Sequence, residues 1–155
     1  MPEPGKGGPA GAETMALVLS SHGLQRMTAR TLAALLFTEQ PTITMGELAE
    51  QLHASIGAIS TALRILTEAG LAERVPSPGS RRDHFRLCEN AWANQYTNQN
   101  QVTNAVLTAA REGMAATSPD ELAHHRLAQM HAFYTFLMDE IPALLERWHE
   151  QSPPS

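Results

Sequence analysis

Cysteine is almost missing from this chain of 155 residues, and the single one, Cys88, excludes an internal disulfide framework. A reducing, cytoplasmic setting is the corresponding expectation. Aromatic residues make up only 5% and apolar residues 43%. At this size about 70% of the unfolded surface can still be buried, so a core needs no disulfide or metal staple. Long apolar runs are also lacking. The longest, Met15 to Leu19 and Leu32 to Phe37, fall far short of the roughly 20 residues that span a bilayer, so no membrane partner is expected. Residues 1–12 hold seven Gly or Pro without the apolar stretch of a secretory signal, and read as a disordered tail. There is no Gly-rich phosphate loop, no Gly-x-Ser-x-Gly elbow and no convergent acid/base pair, so neither enzymatic activity nor a cofactor is expected.

Positive charge is scarce overall, with a net charge of −5, but its distribution is uneven. Lys and Arg against Asp and Glu number 3 and 5 in residues 1–52, 5 and 4 in residues 53–90, and 3 and 7 in residues 91–155. Only the middle segment is net positive, and Arg81, Arg82 and Arg86 lie within six positions there. A nucleic-acid partner is judged by such local clusters rather than by the total.

What is present is helical periodicity. Residues 13–22 and 28–38 read as helices, the second with Thr28 as its expected cap. Thr44 followed by Glu47 makes a capping box, after which Met45, Leu48, Ala49 and Leu52 form one apolar stripe. Ser55 is then placed to cap a helix lined by Ile56, Ile59, Leu63 and Leu66 and ending at Gly70. Residues 71–75 and 84–87 alternate in polarity around Pro78-Gly79-Ser80, which predicts a hairpin. Helix returns from Ala91 to about Ala116. Ser118-Pro119-Asp120-Glu121 resembles a second capping box before a long helix interrupted or kinked at Pro142.

Two short helices joined by about three residues and followed at once by a hairpin define a winged helix-turn-helix. With Leu63 at the centre of the buried stripe, the opposite face of the second helix carries Gly57, Ala58, Thr61, Arg64, Ile65 and Glu68. Its first two turns are small and uncharged, which lets a helix approach base edges in a major groove, with Arg64 in reach of a guanine or a phosphate. A surface helix with no such role has the same composition, so the hairpin decides. Arg81 and Arg82 at its turn suit a narrow, negative minor groove, unless Asp83 pairs with one of them. Arg74 and Arg86, on the strands, are divided between phosphate contact and pairing with Glu73 or Glu89.

The stretch from Met27 to Leu87 resembles bacterial MarR-type winged-helix regulators. The resemblance rests above all on Ser55-Ile-Gly-Ala-Ile-Ser-Thr-Ala-Leu-Arg-Ile-Leu-Thr-Glu-Ala-Gly-Leu and Pro78-Gly-Ser-Arg-Arg-Asp-His-Phe-Arg. The wing is closer to the GbsR-like branch, with its Gly-x-Arg-basic-Asp-aromatic pattern, although His84 stands where that pattern often has an aromatic. The resemblance implies Ser55, Gly57, Ala58, Thr61 and Arg64 in groove contact, Arg81 and Arg82 in the wing, and dimerisation through terminal helices. It also implies repression relieved by a small molecule.

Independent of the resemblance, Leu127, Met130, Tyr134, Leu137, Ile141, Leu144 and Trp148 alternate in spacings of three and four, a heptad seam suited to a second copy of the chain. Packing on helix 91–116 within one chain is the other home for this seam. Trp92 and Tyr96, one helical turn apart just after the wing, are either ordinary packing residues or the lining of a pocket for an apolar or aromatic effector. His124, His125 and His131 share the last helix without a second ligand motif, so no metal site is expected. Cys88 would need a depressed pKa to sense oxidation.

The chain therefore reads as mainly α with a small β-hairpin wing. It divides into the tail 1–12, a winged helix-turn-helix region with a leading helix over 13–90, and a helical dimerisation region over 91–151. The expected function is a homodimeric transcriptional regulator that binds duplex DNA. The alternative is a winged-helix module that uses the same helix to bind a protein.

Overall fold

The helix expected after Thr44 forms as α3 (Met45–Leu52), and both halves of its capping box are made. Glu47 N–H donates to Thr44 Oγ1 at 3.2 Å, while Glu47 Oε2 accepts from Thr44 N–H at 2.8 Å and from its hydroxyl at 3.0 Å. These bonds, the backbone one foremost, hold the Glu47 carboxyl below its ordinary pKa of 4.5. A carboxylate whose pKa is lowered by folding stabilises the fold above its unfolded value, and that contribution is lost as pH falls through the lowered one. Thr44→Ala should therefore cost about 1 kcal/mol. The deficit of Glu47→Gln in urea unfolding should be full at neutral pH and close once the wild-type carboxyl is protonated.

The computed structural model describes residues 7–152, and the chain separates into two compact units, one up to Asn94 and one from Gln95 onward. In the first unit, α1 (Gly7–Ser21) and α2 (Arg26–Phe37) precede α3, and α4 (Ile56–Glu68) follows it. Helix α1 begins six residues before the expected position 13, so residues 7–12 of the expected tail are helical, while residues 1–6 lie outside the described residues. Gly11 permits the close approach of α1 to α2, because a Cβ there would stand 2.8 Å from the Phe37 ring. Helix α2 starts two residues earlier than expected. Thr28 is thus inside it rather than at its cap, and its buried hydroxyl donates to the Gln25 side chain.

Three strands complete this unit: β1 (Ile43–Thr44), β2 (Ala72–Val75) and β3 (His84–Leu87), in the order β1-β3-β2 and antiparallel throughout. The hairpin stands where it was expected. Strand β1 carries no signal in the sequence, since two residues show no alternation and its partner β3 lies some forty positions along the chain. Leu32, Leu35, Ile43, Leu48, Leu52, Ile59, Leu63, Leu66, Leu71 and Phe85 form the core. It fixes α4 and the hairpin to the same small body.

Helix α5 (Ala91–Ala115) starts in the first unit and continues into the second, where α6 (Leu122–Gln151) follows. The second capping box does not form. Glu121 N–H is taken by the Ser118 carbonyl at 2.9 Å, closing a turn, so the helix begins at Leu122 with no side-chain cap. Nor is α6 interrupted at Pro142, whose missing N–H removes one bond from a ladder that continues on both sides. His124 closes the turn, with Nδ1 at 3.1 Å from the Met114 carbonyl and 3.2 Å from Thr117 Oγ1. No residue of α6 is buried.

Candidate nucleic-acid interface

The connection between α3 and α4 is three residues long because α3 ends abruptly. His53 adopts the left-handed conformation (φ +50°), and Ala54 N–H returns to the Ala49 carbonyl at 2.9 Å, a closure that usually employs glycine. Ser55 then caps α4, its Oγ accepting from Ala58 N–H at 3.1 Å. The first N–H groups of α4 project beyond the ladder, as at any helix start, and suit an anion.

Ser55, Gly57, Thr61 and Arg64 are all exposed, while Ala58 is half-buried. Thr61 bonds back to the Gly57 carbonyl at 3.0 Å, which satisfies its hydroxyl within the helix. Arg64 is held along the helix surface by Glu68 at 3.1 Å, in an exposed pair of small net worth that a guanine or a phosphate can displace. Ile56 was expected in the buried stripe, yet it is 53% exposed. As the first residue of α4 it stands beyond the packed length of the helix, and the buried stripe runs through Ile59, Ala62, Leu63 and Leu66 instead. Ile56 and Ser60, also exposed, stand at the open start of α4 on the side of its buried stripe rather than on the outward face, and their exposure was missed from the sequence. The position directly after the cap was the available signal for Ile56.

The wing divides its arginines into two classes. Arg86 bonds its register partner Glu73 at 2.7 Å, and that bond raises the guanidinium pKa. Arg74 lies 3.6 Å from Asp83 and over the Phe85 ring, its own register partner, at 5.8 Å. Asp83 therefore pairs with a strand arginine and not with either arginine of the turn. Arg81 and Arg82 are exposed and form no ion pair among the described residues. Gly79 (φ +80°) and the bond from Ser80 N–H to the Ser77 carbonyl shape the turn that carries them. Between α4 and the wing strands lies a cleft of about 340 Å³, lined in part by Ser60, Arg64, Arg74 and Phe85.

The remaining sequence candidates fall elsewhere. Trp92 and Tyr96 lie on α5 with about half their surface exposed. Cys88 is half-buried, and burial first and Glu73 second push its thiol pKa up, opposite to what an oxidation sensor needs. Among the described residues no His, Cys, Asp or Glu cluster is suited to a metal ion. No described helix is long and apolar enough to cross a membrane.

A helix-turn-helix whose outward face is small and uncharged over its first two turns, followed by a hairpin whose turn carries arginines outside any ion pair among the described residues, defines a winged helix-turn-helix protein. Residues 22–83 match the MarR family model, and residues 90–151 match that of the MmpR5-like MarR family transcriptional regulators. The chain belongs to the MarR family of transcriptional regulators. Neither model is of the GbsR-like branch that the wing pattern resembles. Over 81 residues the chain is 41% identical to the HTH-type transcriptional regulator MmpR5 of Mycobacterium tuberculosis, a match covering 52% of this chain and 49% of that protein. It thus spans about half the length of that curated relative. A crystal structure of a transcriptional regulator superposes with a TM-score of 0.81 at 29% identity, covering 90% of this chain and 96% of the other.

Proposed function

We propose that this protein is a cytoplasmic, homodimeric repressor that binds duplex DNA through α4 and the wing. The observation that carries the reading is the sorting of charge. Asp83, Glu73 and the Phe85 ring engage the two strand arginines, while the turn pair forms no ion pair among the described residues and sits on the same body as the small, uncharged first two turns of the α4 face. Ser55, Gly57, Ala58, Thr61 and Arg64, with Ile56 added, form the reading surface, and Arg81 and Arg82 the minor-groove contact. A salt titration on duplex fragments tests it: counterion release predicts a linear fall of log affinity with log salt, while a protein-binding module of the same fold would leave duplex binding weak.

Within the reading surface, Arg64→Ala should cost about 1–3 kcal/mol at one base pair if its contact is bidentate to guanine. Ile56→Ala should remove discrimination between thymine and uracil at another position, since an exposed apolar side chain reads the thymine methyl. Competition with single-substituted duplexes measures both.

Dimerisation is supported by α6. Leu144 and Trp148 are more than half exposed and Leu137 is 38% exposed, while Leu127, Met130, Tyr134 and Ile141 are only half-buried. Leu127 packs on α5 beside Gly113, but a thirty-residue helix with no buried residue leaves the rest of its apolar seam available to a second copy. Two-fold symmetry would then set half-sites about one helical turn apart. Trp92 and Tyr96 would supply the contact for an apolar or aromatic effector, which would shift DNA affinity by about 1–3 kcal/mol. A thermal-shift screen followed by DNA titration with each stabilising compound tests that role.

A further inference from the structure

The eight residues between β2 and β3 carry Arg81 and Arg82, and the strand ladder stops at Val75 and His84. Beside the Asp83 pair with Arg74 on β2, a second side chain connects this loop to the body of the unit. The His84 ring has Nδ1 at 3.0 Å from Thr42 Oγ1, just before β1, and Nε2 at 3.1 Å from Ser80 Oγ in the wing turn. Ser80 Oγ in turn accepts from Arg82 N–H at 3.2 Å. A hydrogen-bonded chain thus runs from Thr42 through His84 and Ser80 to the backbone of the arginine pair.

We infer that His84 is the positioning residue of the wing, fixing through Ser80 where Arg81 and Arg82 stand relative to α4. Imidazole is the side chain this role requires. It offers a polar atom at each side of a rigid ring, and hydroxyls at both ends can donate or accept to suit either tautomer. A phenyl ring keeps the shape and makes neither bond. The lever is entropic, because two free arginines on a loose loop must be ordered when they bind, and His84 orders them beforehand. The functional consequence rests on the DNA-binding reading above, whereas the ordering itself does not.

The test compares wild type, His84→Phe and Thr42→Val, the last breaking the chain from the body side with little change of shape. In ¹⁵N relaxation of the free proteins, amide order parameters over residues 78–82 should drop from rigid values near about 0.85 toward about 0.6 in both variants. Duplex affinity should fall about three- to tenfold in each. That loss should vanish in an Arg81→Ala/Arg82→Ala background, which a general loss of fold would not produce. Unchanged loop order in both variants overturns the inference, whether or not the wild type binds DNA. An affinity loss that persists without the two arginines overturns it as well. Loosened loops in a protein that does not bind duplex at all would uphold the ordering role of His84 and refute the DNA-binding reading instead.

Discussion

Replacing Leu137 and Ile141 together with Glu should turn the protein into monomers at micromolar concentration and abolish tight operator binding, as read by light scattering and by DNA titration. Both residues lie in the α6 seam, Ile141 half-buried and Leu137 38% exposed in the single chain. In a symmetric dimer each substitution occurs twice across one interface. The added carboxylates would then have to be desolvated without partners, at about several kcal/mol in total, which opposes association directly. The core of the first unit does not involve these side chains, so circular dichroism should show the winged unit still folded. Loss of affinity would then follow from losing the second reading head. Wild-type protein of monomeric mass would contradict the arrangement from the outset.

Removing the wing arginines is the second large effect expected. Arg81→Ala with Arg82→Ala should weaken duplex binding by at least about tenfold near physiological salt, and lower the slope of log affinity on log salt by about one for each phosphate no longer neutralised. Arg74→Ala and Arg86→Ala should change the slope much less. Their guanidinium groups are already engaged by Asp83 and Glu73, so each substitution first breaks an intramolecular pair and only then weakens any hold on phosphate. The contrast between the two pairs is the informative result. Equal slopes for wild type and the turn double variant would remove the wing from DNA binding and leave α4 to account for all of it.

The features that could be read directly from the chain share one property: their partners are close in sequence. Thr44 and Glu47 are three residues apart, as are Ser55 and the Ala58 N–H it accepts from, and the alternation flanking Pro78-Gly79-Ser80 declares its own hairpin. Local geometry is enough to settle such elements. Even so, a local pattern can be pre-empted by a neighbouring backbone group. Ser118 and Glu121 have capping-box spacing, but the Ser118 carbonyl takes Glu121 N–H and delays the helix.

The sequence alone therefore determined the winged-helix class, the two caps that start α3 and α4, the basic turn of the wing and the heptad spacing of α6, because periodicity and short-range hydrogen bonding encode them. Tertiary structure decided which charges and which apolar groups remain available. A helical wheel places Ile56 with Ile59 but does not know where the packing partner ends, and so could not show that Ile56 stays exposed. Composition shows five arginines from Arg64 to Arg86, but only strand register brings Arg86 to Glu73, and only the hairpin's folding brings Arg74 to Asp83. The same is true of His84, whose partner Thr42 lies 42 positions away and comes within 3.0 Å through the pairing of β1 with β3. Charge availability and loop order depend on contacts distant in the chain, and such contacts exist only once the core has closed.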